Sequence, residues 1–170
     1  MISTFLVAAF VALFSLPLLI HGTTVDVWLD PGGSNGNPCT NAQPCDSLTT
    51  AKAKFGLTDD ATIYFKPGTY SGNSNCVGIT LQANTLKLYG TGSVTGSGQS
   101  LSTTVGLTCN NPGDSGVQLI VKIKSELDVQ NLTFTRVGLA ISEAVGAATP
   151  TVSFSVIQQQ QKNINSNNIF

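Results

Sequence analysis

Pairs of apolar residues two positions apart return along this chain at a loose, regular interval. Ile63 and Phe65 open the series. Leu86 with Leu88, Val105 with Leu107, Leu127 with Val129, and Val152 with Phe154 and Val156 continue it. The starts at residues 63, 86, 105, 127 and 152 are 23, 19, 22 and 25 residues apart. A step of two is strand periodicity, and turn clusters at Lys66–Gly68, Gly90–Gly98 and Asn110–Gly116 separate the pairs. A loose period with variable loops is the signature of stacked solenoid coils whose insertions fall in turns. Ala61 to Gly72, ATIYFKPGTYSG, reads as the first full coil: a buried strand, a corner at Pro67-Gly68, and an extended exit through Tyr70.

The phase of the apolar positions adds a corner to each coil. Val117, Leu119, Val121 and Ile123 alternate with Gln118, Ile120, Lys122 and Lys124; after a turn at Ser125–Glu126, Leu127 and Val129 keep the odd positions inside. The parity then flips to Leu132 and Phe134. A one-residue phase change needs a bend at which one residue leaves the pleat. Asn131 sits there, and Asn tolerates the left-handed conformation such a corner requires. Gly90 holds the comparable place after Leu86 and Leu88. Strand, corner, strand is the local geometry of a parallel β-helix.

Before the coils, Val25–Leu29 reads as a strand with Val25, Val27 and Leu29 on one face and Asp26 and Trp28 on the other. A Gly- and Pro-rich segment follows, and then the helix SLTTAKAKF, with Asp46 or Ser47 as N-cap, Leu48, Ala51 and Phe55 on one face and Gly56 as C′ residue. One amphipathic helix among strands is expected to act as a lid over one end of the core. Met1 to Gly22 carries an apolar run of signal-peptide length, with Pro17 before a small residue at Gly22. Export makes the four cysteines disulfide partners. Of the three pairings, Cys39–Cys45 closes a tight loop and Cys76–Cys109 ties distant segments. Zinc is excluded by the spacings and by a single histidine, His21, inside the export signal. The layout is therefore a signal peptide over 1–22, a β domain over 23–157 with its cap at about 23–60, and a disordered polar tail over 158–170.

VDVWLDPGGSNGNPCTNAQPCDSL, the cap helix, ATIYFKPGTYSG and LDVQNLTFTR together resemble the N-terminal part of secreted right-handed parallel β-helix proteins of the pectate-lyase-like superfamily. The resemblance spans about Val25 to Phe154. Gly68-Thr69-Tyr70 matches a Gly-x-Tyr step common after the first coil strand, and Cys109 is comparable to a cysteine after a late coil strand. The chain departs from that family in size, with four or five coils where many more are usual. The expected fold is all-β, a short right-handed solenoid with an N-terminal capping helix. Its uncovered last coil is expected either to continue in a longer helix or to self-associate.

The residues argue against several chemistries. A net charge of −1 without a basic cluster gives no footprint for nucleic acid. A nucleophilic triad lacks its histidine, and GTGSVTGSG lacks the helix that a phosphate loop needs. No cofactor or metal site is expected; calcium at Asp59, Asp60 or Asp114 lacks a ligand-loop spacing. Adjacent Asp59 and Asp60 read as a solvated connection, and Asp128 and Arg136 as outward charges flanking one coil. Asn131-Leu132-Thr133 is an N-glycosylation sequon at a corner facing the interior. Trp28, Tyr64, Tyr70 and Tyr89 are the aromatics able to stack on sugar rings. Tyr64 and Tyr89 are out of phase with their apolar neighbours and so share an outer face one coil apart, a two-ring platform. The expected function is a secreted or cell-surface structural or carbohydrate-binding protein without a catalytic site. A polysaccharide lyase or glycoside hydrolase is the alternative, and a membrane-tethered surface protein follows if the N-terminal segment is retained.

Overall fold

The computed structural model describes residues 22–95, 102–109, 119–144, 149–155 and 159–160. Thr24–Leu29 (β1) and Asp60–Phe65 (β2) run parallel and in register, Val27 beside Ile63 and Leu29 beside Phe65. β2 aligns in turn with the second half of Ile79–Gly90 (β4), and β4 with Leu119–Gln130 (β8). Two strands share the far edge of β8: Leu139–Glu143 (β10) beside its first half and Thr151–Ser155 (β11) beside its second. A second parallel sheet forms from Gly68–Tyr70 (β3), Val105–Thr108 (β7), Thr133–Thr135 (β9) and Gln159–Gln160 (β12). The chain thus visits the two sheets alternately: β2 then β3, β4 then β7, β8 then β9, β11 then β12. Val94–Thr95 (β5) and Ser102–Thr103 (β6) make a small antiparallel ribbon between β4 and β7. The architecture is all-β with parallel sheets.

Parallel in-register pairing turns the two-residue apolar period into columns. Val27, Ile63, Leu88 and Val129 form one buried column, and Ala61, Leu86 and Leu127 another. Tyr70, Leu107 and Phe134 do the same in the second sheet. Each such side chain contributes about 1.5–3 kcal/mol on burial, so the columns supply the driving force that holds the sheets face to face.

The register corrects the sequence reading in three places. First, Val105 and Leu107 are not the next member of the same series, because they lie in the second sheet. The first-sheet column Ile63, Leu88, Val129, Phe154 steps by 25, 41 and 25 residues. The 19- and 22-residue steps together make up the single 41-residue step from β4 to β8, which contains the ribbon. Second, β4 begins at Ile79, where Ile79, Leu81 and Ala83 already alternate inward. Third, Ser125–Glu126 is no turn. β8 runs straight through, and one residue, Asn84, faces two, Lys124 and Ser125, between the pairs Ala83↔Ile123 and Thr85↔Glu126. This is a bulge, which bends the sheet without ending the strand. Polar groups line the bend: Ser125 Oγ donates to Asn84 Oδ1 (3.0 Å), and Asn84 Nδ2 to Asp60 Oδ1 (2.8 Å).

The corners follow the expected chemistry in part. Asn131 has φ 55°, the left-handed conformation. It is half-buried rather than interior, and Leu132 is the residue that turns inward. Gly90 occupies the equivalent place for a different reason. A Cβ there would fall 2.0 Å from the Asn131 carbonyl oxygen, so the two backbone segments approach too closely for a side chain. Gly68, after Pro67, has φ 139°.

The N-terminal edge is closed by short-range chemistry. The loop from Asp30 to Cys45 lies along β1: Trp28 N donates to Cys39 O (2.8 Å), Cys45 N to Trp28 O (3.1 Å) and Asp30 N to Cys45 O (2.9 Å). The Cys39–Cys45 disulfide closes it. Leu48–Ala51 (α1) buries Leu48 and Ala51, with Ser47 as the N-cap accepting from Thr50 N (3.3 Å). A 3-10 turn over Lys52–Lys54 follows. Gly56 is not a left-handed C′ residue, since Phe55 is already extended (φ −146°). Leu48 N donates to Asn75 Oδ1 (2.9 Å) in Asn73–Cys76 (α2). Cys76 is bonded to Cys109 past β7, which ties the cap to the second sheet. The two disulfides fit an oxidising compartment. Among the described residues no helix is long and apolar enough to cross a membrane. The export signal read at 1–22 lies outside the described residues except for Gly22. In the stretch read as tail, Gln159–Gln160 pair with Phe134 and Thr135, and residues 161–170 lie outside the described residues.

Candidate functional site

The outward positions of the first sheet form columns just as the inward ones do. Trp28, Tyr64, Tyr89 and Gln130 occupy one column, each on the next strand. Two residues earlier on the same strands run Asp26, Thr62, Lys87, Asp128 and Ser153. The two columns are about 6.6 Å apart along the strands and step about 4.8 Å from strand to strand. Sequence phase therefore anticipates the Tyr64–Tyr89 pair, and the register adds Trp28 at its end.

The rings are not equivalent. Trp28 and Tyr64 lie flat on each other, with centroids 4.3 Å apart and planes 14° from parallel. Tyr64 and Tyr89 meet at 79° with centroids 6.0 Å apart. Trp28 stacks on one face of Tyr64, and Tyr89 is on the opposite side along the same column. Tyr89 meets Tyr64 from that side with the two planes close to perpendicular. Tyr64 thus has an aromatic neighbour on either side within the row, whereas Tyr89 has one and is followed by Gln130. The expected two-ring pair is the end of a three-aromatic row, with the Trp28–Tyr64 stack behind Tyr89. Such pairs add about 0.5–1.5 kcal/mol beyond area burial.

Tyr70, grouped with these aromatics from sequence, is in the core. It packs edge-on against Phe65, with centroids 5.2 Å apart. Its hydroxyl lies 2.9 Å from both Leu29 O and Lys66 O. Burial, and then the nearby Asp30 charge, push its pKa well above the ordinary tyrosine value.

Polar groups next to Tyr89 are held in place. Gln130 Nε2 donates to Asp128 Oδ2 (2.6 Å), and Ser153 Oγ donates to Asp128 Oδ1 (2.9 Å). Lys87, exposed, lies beside Asp128 in the register. The sequence pattern puts Glu126 in a turn, but the continuous β8 places it on the same outward face as Asp128, two residues or about 6.6 Å of strand away. Alternation counted through Ser125 would have found it. Arg136 follows β9 of the second sheet, whereas Asp128 lies on β8 of the first.

Asp59 and Asp60 are structural clamps and not a solvated pair. Asp59 Oδ1 accepts from Thr23 N (3.1 Å) and Thr23 Oγ1 (2.9 Å), and Oδ2 from Gly56 N (2.8 Å). The Gly56 N–H, then the Thr23 donors, hold its carboxyl below the usual aspartate range. Asp60 Oδ1 also accepts from Thr85 Oγ1 (2.8 Å), in addition to Asn84. Asp114 lies outside the described residues. Among the described residues no three His, Cys, Asp or Glu side chains gather as for a metal ion.

At Asn131 both backbone groups are engaged: its N–H donates to Ser155 O (3.1 Å) and its carbonyl accepts from Thr103 Oγ1 (3.0 Å). Glycan attachment there would act on a fixed corner rather than a free loop.

Comparisons with protein-family models, curated proteins and solved structures find no match to this chain.

Proposed function

We propose that the chain is an exported, short right-handed parallel β-helix of the pectate-lyase-like kind that binds extracellular carbohydrate on the outward face of its first sheet. The observation that carries this reading is Tyr89: a half-buried ring at the end of its aromatic row, flanked by Lys87, Asp128 and Gln130. A sugar needs an apolar surface for its C–H face and fixed polar groups for its hydroxyls, and the two columns offer both within one sugar's reach. The alternation of strands between two parallel sheets supports the coil geometry, and the disulfides support export.

A glycan-array screen followed by affinity electrophoresis tests the reading. Tyr89→Ala is expected to weaken binding roughly tenfold or more, and Trp28→Ala to weaken it much less. Equal losses, or no glycan bound at all, would refute the proposal and leave a scaffold role.

One observation favours the enzyme alternative. Glu126 and Asp128 are two carboxylates on one outward face, two residues apart on the same strand, and glycoside hydrolysis uses a pair of neighbouring carboxyl groups. Turnover of polysaccharide that disappears in Glu126→Gln, with an unchanged melting curve, would establish catalysis in place of binding. The remaining alternative, a membrane-tethered protein, is separated by N-terminal sequencing of the exported chain.

A further inference from the structure

The last strand of the first sheet is built to pair, and its neighbour is built not to. β11 continues the inward columns with Val152 and Phe154, yet Phe154 is 42% exposed. β10, alongside it on β8, carries Glu143 at an inward register position opposite Ile123. An inward-pointing charge is one of the devices that stops an edge strand from templating. β11, TVSFS, has no charge, no proline and no bulge, three of its five residues (Thr151, Val152 and Phe154) are β-branched or aromatic strand formers, and among the described residues its second edge pairs with nothing.

The backbone phase of β11 says what its edge accepts. Asn131 N donates to Ser155 O, so Ser155, Ser153 and Thr151 turn their backbone groups toward β8. Val152 and Phe154, the alternate residues, turn theirs to the open side. An antiparallel copy of the same strand, related by a two-fold axis at Ser153, then places Val152 opposite the second copy's Phe154 in the hydrogen-bonded position, twice. Ser153 faces its own copy in the closer, non-bonded position, and Thr151 faces Ser155 on the outward side. Apolar meets apolar, small meets large, and hydroxyl meets hydroxyl, with no like charges opposed. Such self-complementarity is the requirement of an isologous interface.

We propose that β11 is the dimerisation strand, pairing antiparallel with β11 of a second copy of this chain. The outward faces of the two first sheets become one surface, and the two Tyr89 rings lie five strand steps (about 24 Å) apart across the strands and four residues (about 13 Å) apart along them, roughly 27 Å in all.

Sedimentation velocity on the full chain, produced in a secretory host, tests this over a wide concentration range. The wild type is expected to sediment as a concentration-dependent dimer. Ser153→Lys sets two ammonium groups against each other at the closest pair, and is expected to weaken dimerisation roughly tenfold to a hundredfold. Within one copy the new ammonium faces Asp128 in place of the Ser153 hydroxyl, so the variant should keep the wild-type fold by circular dichroism and lose only the part of the melting temperature that the dimer itself contributes. Phe154→Ser should also give monomers. Val77→Ser, at a separate exposed position (55%), should leave the dimer intact. A wild type that remains monomeric, a Ser153→Lys dimer of unchanged affinity, or a dimer dissolved by Val77→Ser would each overturn the proposal.

Discussion

Replacing Tyr70 by Phe removes one oxygen atom from the core and leaves the ring packed on Phe65. The loss is not symmetrical between the two carbonyls the hydroxyl reaches. Leu29 O keeps a donor, Lys66 N, at 2.9 Å, whereas Lys66 O loses the tyrosine donor. A net hydrogen bond is worth about 0.5–1.5 kcal/mol, and stranding a buried acceptor about 1–3 kcal/mol. The expected destabilisation at neutral pH is therefore about 1–2.5 kcal/mol. Alkaline pH should erase it. Tyr70 has its pKa raised by burial and by Asp30, so above about pH 10 the unfolded chain ionises this tyrosine while the folded chain does not. Its contribution is complete below the unfolded pKa and is lost as pH rises, by about 1.4 kcal/mol per unit. Wild type and Tyr70→Phe should thus become equally stable roughly one to two units above pH 10. Urea unfolding of both proteins from pH 7 upward measures the gap, and the lysines and other tyrosines cancel in the difference. All four cysteines are paired, so no free thiolate is present to start disulfide exchange. A mutant as stable as the wild type at pH 7, or a gap that stays constant past pH 11, would refute the reasoning.

Acid should act through Asp59, whose carboxyl is held low by Gly56 and Thr23. Its stabilisation is present above the ordinary aspartate pKa and is lost as pH falls through the lower folded value. Asp59→Asn should therefore be the weaker protein at neutral pH in thermal melts and should converge on the wild type in acid. Gly90→Ala would place a methyl 2.0 Å from Asn131 O, and the forced shift should lower stability by about 1–3 kcal/mol or more in urea titration. Replacing both Cys76 and Cys109 by Ser opens a cross-link between residues 33 apart, which the chain-entropy estimate values at about 3–4 kcal/mol; an unchanged midpoint would show that α2 and β7 do not depend on it.

Phase was the most legible feature of the sequence. Ile63, Leu88 and Val129 could be placed inside and Tyr64 and Tyr89 outside, because a period of two needs only the residue types. Which strands belong to one sheet was not legible. Val105-Gly106-Leu107 reads like any other inward pair, and only the register assigns it to the second sheet. Ser125–Glu126 misled for a related reason: a bulge and a turn call for the same polar residues, so Glu126 was lost from the face it shares with Asp128. Tyr70 misled because its hydroxyl is satisfied by carbonyls 41 and 4 residues away, and the first of these contacts is non-local. The disulfide pairing was readable from loop length, whereas the clamp at Asp59 depended on Thr23 being brought back across 36 residues.

Parallel in-register stacking also fixes the order in which this protein gives way. Among the described residues an inner strand of the first sheet is paired on both sides and an edge strand on one, so opening is easiest at an edge and proceeds inward strand by strand. The β1 edge is bolted by the Cys39–Cys45 loop and α1, leaving β10 and β11 as the described edge where fraying begins. Tyr89 lies on β4, two strands further in and between fully paired neighbours. Its ring can therefore remain fixed while the far edge breathes.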